Sequence, residues 1–307
     1  MGKKDIEEKL FEDYNDVFTD IVNVLLFNGQ QIVHENELEN TKDRSRLKDA
    51  DGKTNEQERD VAKWWGKSKI RLALFGIENQ TRPDPDMCFR LYGYDGAAYR
   101  SEYQEKEKYP VITLVLYLNS KERWKGCKTL GESLDIPEVL KPYFNDYKMN
   151  LFEIAWLSDE QVQMFKSDFQ ILADYFVQMR KNKDYVPSKK TIVHVDSLIK
   201  LMAAITGDNR FEEGLETLDD NFERREINMC EYLDKIISQG EARGEAKGIA
   251  KGIAKGEILG ENKKGIEVFI NCINSKMSRK KAQSIANISD ELVEEAYARM
   301  NKELQTT

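Results

Sequence analysis

Apolar residues recur three and four positions apart at Phe11, Tyr14, Phe18, Ile21, Val22 and Leu25, a spacing that predicts one amphipathic helix over Phe11–Phe27. Asp13, Asp16, Asp20 and Asn23 form its polar stripe. From His34 to Gln57 the chain is almost wholly polar and carries Asp51-Gly52-Lys53-Thr54, which reads as a long loop or a hairpin turn without a core of its own. A short segment around Asp60–Trp65 follows, then a turn at Gly66. The run Lys69–Gln80 is aliphatic and of strand length, and Phe89–Tyr99 fits a helix. Val111–Tyr117 is apolar on both alternations, as expected of a strand covered on both faces. Pro110 heads it, where a missing backbone donor is tolerated. Ser158-Asp159-Glu160-Gln161 has the form of a capping box, opening a helix with Val162, Phe165, Phe169, Leu172, Phe176 and Met179.

Helix, short strands, helix, buried strand and further helices predict a mixed α/β domain over residues 1–185, with a weaker helical extension over 186–239. The pattern then changes sharply. Glycine recurs at 240, 244, 248, 252, 256 and 260, a four-residue repeat over 240–262. Each glycine costs a helix roughly 1 kcal/mol against alanine. Two readings stand: a helix built for close approach to another helix, including self-association, or a solvated connector. Residues 263–307 read as a small helical tail, Gly265–Asn274 and Ser278–Met300, with Ser278 and Ser289 as N-caps. A plain helical hairpin is favoured there over a helix-turn-helix.

Composition narrows the chemistry. Across 307 residues, 40% are hydrophobic, enough for a substantial core, and the 33% charged content points to long solvated helices. No apolar stretch approaches the roughly 20 residues of a membrane span, and the charged N-terminus lacks a signal peptide's apolar run, so the cytoplasm is the expected compartment. The four cysteines are scattered without metal-ligand spacing or a disulfide framework. Only His34 and His194 exist, which sets aside zinc fingers and sites needing several imidazoles. Any metal chemistry must use carboxylates, favouring Mg2+ or Mn2+. The net charge of −8 argues mildly against nucleic-acid binding, although residues 240–281 carry ten basic and five acidic side chains.

Along Ile70–Gln80, strand alternation puts Glu78 and Gln80 on one face at the end of the strand, where a sheet opens a cleft. Asp60 lies 18 residues upstream of Glu78, enough for one strand and a turn to bring it alongside. Two carboxylates so placed repel unless a cation lies between them, and Mg2+ suits oxygen donors. Against this stand ordinary alternatives: a surface turn for Asp60 and a structural ion pair with Arg71 or Arg82 for Glu78. Trp64 and Trp65 are expected to pack in the core rather than stack on bases, and His34 to be a loop residue.

At Arg59-Asp60-Val61, Leu74–Gln80, Tyr109–Tyr117 and the Trp124–Leu134 region, the chain resembles the PD-(D/E)XK nuclease superfamily and its recombination-promoting nuclease (Rpn) branch. The glycine repeat and helical tail resemble that branch too. The resemblance implies a restriction-endonuclease-like fold, a mixed sheet flanked by helices with a helical C-terminal extension, and Mg2+-dependent cleavage of DNA phosphodiesters linked to recombination, transposition or phage defence. It implies Asp60 and Glu78 as metal ligands, the Asn79 backbone carbonyl between them, and Gln80 at the position most often held by lysine. An acidic helix residue often completes such sites, and Asp20 is the candidate, with an ordinary solvated helix face as the alternative. Gln80 brings no positive charge, and Arg59 replaces the proline before the aspartate. These departures leave a second reading: a nuclease fold without efficient catalysis that binds DNA or assembles, with Gly240–Gly260 and the C-terminal helices as a homo-oligomer contact.

Overall fold

A computed structural model describes residues 3–41, 45–48, 54–57, 60–67, 70–103, 107–208, 210–216 and 227–305. The predicted turn residues Asp51, Gly52 and Lys53, and Arg59, lie outside these. The chain divides into two compact units, Met1–Ile236 and Ile237–Thr307.

The first unit opens with α1 (Lys3–Glu12) and α2 (Asn15–Phe27), so the single expected helix is two, broken at Asp13–Tyr14 where Tyr14 is extended. After it come β1 (Leu38–Asn40), β2 (Ser45–Lys48), β3 (Thr54–Gln57), β4 (Val61–Lys67), β5 (Ile70–Gln80), α3 (Met87–Ser101), β6 (Val111–Tyr117) and β7 (Asn150–Glu153). Among the described residues, a five-stranded mixed sheet has the order β1-β4-β5-β6-β7. β4 runs antiparallel to β1 and β5, whereas β5, β6 and β7 are parallel. The α3 crossover makes the parallel β5–β6 step possible. The polar stretch before Asp60 is therefore a hairpin, β2 with β3, preceded by the short edge strand β1. The expected turn at Gly66 is instead a β-bulge between Trp65 and Gly66, through which β4 continues.

Both faces of the sheet are covered. Ala73, Phe75, Ile77, Leu114 and Leu116 pack against Val17, Phe18 and Ile21 of α2 and against Leu172 and Phe176 of α5 (Phe169–Asn182). On the other face, Val115 and Tyr117 meet Met87 and Leu91 of α3, and Leu74 and Trp64 meet Ala98. A large apolar side chain buried this way contributes about 2 kcal/mol. The Ser158 capping box forms as expected, but its helix α4 (Asp159–Met164) stops before α5 begins.

The polar stripe of α2 is not a solvated face. Asp16 meets Nε2 of His194 at 2.8 Å, and Asn23 is buried, accepting from Ile32 and Val33 N–H and donating to the Val33 carbonyl. Asp20 Oδ2 accepts from Lys166 N, Ser167 N and Ser167 Oγ at 2.7–2.8 Å, capping the turn that separates α4 from α5. The unit closes with β8 (Thr191–Ile192), α6 (Val195–Thr206), α7 (Arg210–Glu216), β9 (Ile227–Asn228) and the first turns of α8 (Met229–Asn274). Leu198, Leu201, Met202, Met229 and Tyr232 all enter the main core.

In the second unit the rest of α8 is followed by α9 (Arg279–Ala286) and α10 (Asp290–Gln305). Ile266, Phe269, Ala282, Val293 and Ala296 form its core. The glycine repeat thus lies within helix. Among the described residues, no helix is long and apolar enough to cross a membrane, and the four cysteines are free.

Candidate active site

The β4–β5 ladder ends at the pair Val61–Ile77. The next backbone N–H of β5 directed toward β4 is that of Asn79, and Asp60 Oδ2 accepts it at 2.8 Å. Asp60 therefore sits beside the end of β5, as the spacing predicts. Its Oδ1 lies 3.2 Å from Nζ of Lys9 on α1. Glu78 is fully buried on the α3 face, with Oε2 3.6 Å from the guanidinium of Arg90, which also meets Asp84 at 2.7 Å. Burial opposes the charge of Arg90, but hydrogen bonds to Tyr94 and Asp84 and the field of Glu78 hold its pKa above the ordinary value. Arg90 is thus an ion-pair partner of Glu78. Arg71 stands over the Trp64 ring, at 4.6 Å.

α1 supplies what periodicity did not show. Glu12 is buried and accepts from Nδ2 of Asn79 at 2.7 Å. Burial pushes its pKa well above the ordinary value, the Asn79 hydrogen bond opposes this, and Glu8, Asp60 and Glu78 add to the rise. Glu8, also buried, pairs with Lys4 at 3.2 Å, and burial with the charges of Asp60 and Asp5 raises its pKa to about 7 against the pull of Lys4. Four carboxylates, Glu8, Glu12, Asp60 and Glu78, therefore feel one another at the end of β5, with Lys4, Lys9 and Arg90 as the nearby cations.

Asp20 has its Oδ2 on the 166–167 turn. The helix acid nearest the predicted pair comes from α1, one helix earlier. Its sequence signal is an inverted amphipathicity. Ile6 and Leu10 are exposed while Glu8 and Glu12, equally spaced, are buried. Gln80 follows on the face of Glu78, its backbone carbonyl accepting from Leu118 N. Trp64 is buried as expected. His34 serves as the N-cap residue of a short 3-10 turn.

Residues 73–206 match a family model described as putative transposase, YhgA-like. The matched segment, somewhat less than half of the chain, is similar to the YhgA-like putative transposase family. The match agrees with the recombination-promoting nuclease resemblance, and the mixed sheet with flanking helices and a helical C-terminal region is the fold that resemblance implies. No curated protein and no solved structure matches the chain. The YhgA-like segment contains Glu78, Asn79, Gln80 and Arg90, whereas Asp60 and the α1 residues precede it. Among the described residues, no group of three or more His, Cys, Asp or Glu side chains is arranged to hold a metal ion. The donor chemistry of Asp60, Glu78 and the Asn79 carbonyl is all oxygen, the kind of donor set a hard divalent cation takes.

Proposed function

We propose that this chain is a Mg2+-dependent DNA endonuclease acting in a transposition-related process, with its site at the end of β5. The observation that carries the proposal is the gathering of Glu8, Glu12, Asp60 and Glu78 there, with the pKa values of Glu8 and Glu12 driven upward. Asp60, Glu78 and the Asn79 carbonyl would hold Mg2+, for which Mn2+ can substitute. The bound ion would supply charge neutralisation at the scissile phosphate and acidify a water. The side-chain amide of Gln80 orients the attacking water. Lys9, reaching in from α1, contributes the positive charge that Gln80 does not. The Glu12–Asn79 hydrogen bond fixes the strand end on which these groups are mounted.

Supercoiled plasmid tests this directly. Nicking is expected with Mg2+ or Mn2+, not with EDTA, and Asp60→Asn and Glu78→Gln should each lower it by at least about 100-fold. Asparagine keeps an acceptor for the Asn79 N–H, so Asp60→Asn separates chemistry from folding. Nicking unchanged in both variants would move the site elsewhere. No nicking under any condition would favour an assembly role.

That second role has its own support in α8. At Gly240, Gly244, Gly248, Gly252, Gly256 and Gly260 an added Cβ would meet nothing within 4 Å, and Ile249, Ile253, Ile258 and Leu259 are exposed beside them. A four-residue step drifts by roughly 40° per repeat, which suits a right-handed crossing of two helices. Glu241, Glu245, Glu257 and Glu261 each follow a glycine, while Lys247, Lys251 and Lys255 each precede one. Two parallel copies would therefore set the acidic flank of one against the basic flank of the other. Replacing Gly248, Gly252 and Gly256 by alanine should raise intrinsic helix stability by about 1 kcal/mol per site while lowering the mass seen by light scattering. A gain in helicity with unaltered mass would reject the contact.

A further inference from the structure

The outward face of α3 is aromatic where a surface helix is ordinarily charged. Phe89, Tyr92 and Tyr99 are 42%, 58% and 43% exposed and at helical spacing form a single stripe, and Tyr103, 78% exposed, follows just past the helix end. Gly96 lies in its middle, open, with nothing within 4 Å of an added Cβ. Two of the rings are held in place: Tyr92 packs edge-on against Tyr147 at 5.6 Å, and the Tyr99 hydroxyl accepts from Val111 N–H. The helix carries three charged residues. Asp95 is buried beneath the stripe, accepting from Thr113 Oγ1 and Tyr147 Oη, so Arg90 and Arg100 are the charges at its surface. Arg90 contacts Glu78, which makes the stripe continuous with the candidate active site.

We infer that this face binds a nucleic-acid strand whose bases are unpaired, stacking them on Phe89, Tyr92 and Tyr103 while Arg100 meets the phosphates. Exposed rings spaced by a glycine fit flat bases, and a polyanion matches the exposed cations. A duplex hides its base faces and gains nothing from the rings. The inference deepens the nuclease reading by naming single-stranded DNA as what that site receives, and it rests on that reading for the choice of DNA.

The test is binding by the full chain in EDTA, where no cleavage interferes. A fluorescent oligothymidylate is compared with an abasic strand of equal phosphate count and with a duplex of equal length. The oligothymidylate should bind at least about tenfold tighter than the abasic strand. Phe89→Ala with Tyr103→Ala should bring that ratio near one with the thermal midpoint kept, and Tyr103→Phe should retain it. Equal affinity for thymidine and abasic strands would overturn the inference. So would a ratio that survives the double variant, or a fall in that variant's mass by light scattering, which would mark the stripe as a contact between copies. Tight oligothymidylate binding without plasmid nicking would leave the stacking face standing and remove the hydrolase.

Discussion

Glu8→Gln should stabilise the first unit by about 3 kcal/mol above pH 7 and leave it unchanged below pH 4.5. Glu8 is 3% exposed, so solvent screening offers little relief. In the unfolded chain its carboxyl ionises near 4.5, whereas in the folded protein burial holds the proton on up to about 7. Between these values the folded state binds more protons than the unfolded state, so stability falls as pH rises. Glutamine keeps the shape and the neutral form at every pH, and so escapes that loss. Urea midpoints of parent and variant measured from pH 4 to pH 8 should coincide at the acid end and diverge progressively through the window. Taking the difference cancels the other titrating groups. Parallel curves would mean that Glu8 is not held protonated. Mg2+ provides a second reading of the same acids. If it binds among them, adding it at pH 8 should stabilise the parent and narrow the gap to the variant, and EDTA should restore it.

The core of the fold was legible because local pattern and tertiary environment agree there. β6 is apolar on both alternations and is covered on both faces, α3 carries its buried residues at helical spacing, and the Ser158 capping box forms. What escaped depends on partners distant in sequence. The break between α1 and α2 is held by Lys63, 50 residues on, and by His194, whose ring stacks on Tyr14 at 3.7 Å. β4 passes through Gly66 because β5 pairs with it on both sides of the bulge, which no local signal announces.

The site divides along the same line. Asp60 and Glu78 follow from strand alternation and the length of one intervening strand. The turn that Asp20 caps was not legible, because a polar stripe on a helix looks the same whether it faces water, a ligand or the backbone of a distant turn. Glu8 and Glu12 were hidden among the charges of α1, where the ordinary expectation is that Ile6 and Leu10 turn inward. Burying two acids in place of two aliphatics works against the hydrophobic effect, and such local conflict is most often tolerated where function requires it.

Lys63→Met should cost about 3 kcal/mol and loosen α1 ahead of the rest of the molecule. Lys63 is fully buried in β4, opposite Phe75, and its Nζ donates to the Asp13 carbonyl at 2.7 Å and to Asn40 Oδ1 at 2.6 Å. The ammonium also meets Asp13 Oδ1 at 2.9 Å and stands over the Phe18 ring at 5.7 Å. Methionine retains the stem's volume but leaves the carbonyl and the amide oxygen without their donor. The Asp13 carboxylate is half exposed and can rehydrate, which places the cost toward the lower end for a broken buried ion pair. Asp13 directly follows Glu12, so the joint that Lys63 clamps is also the mount for Glu12 against Asn79 and for Lys9 against Asp60. Amide exchange should therefore quicken in α1 by more than in β5 or β6, and plasmid nicking should fall even at temperatures where the sheet remains folded. A uniform loss of protection across all three elements would reduce Lys63 to a core residue. Unchanged stability would mean that the ammonium's desolvation already cancels the bonds it makes.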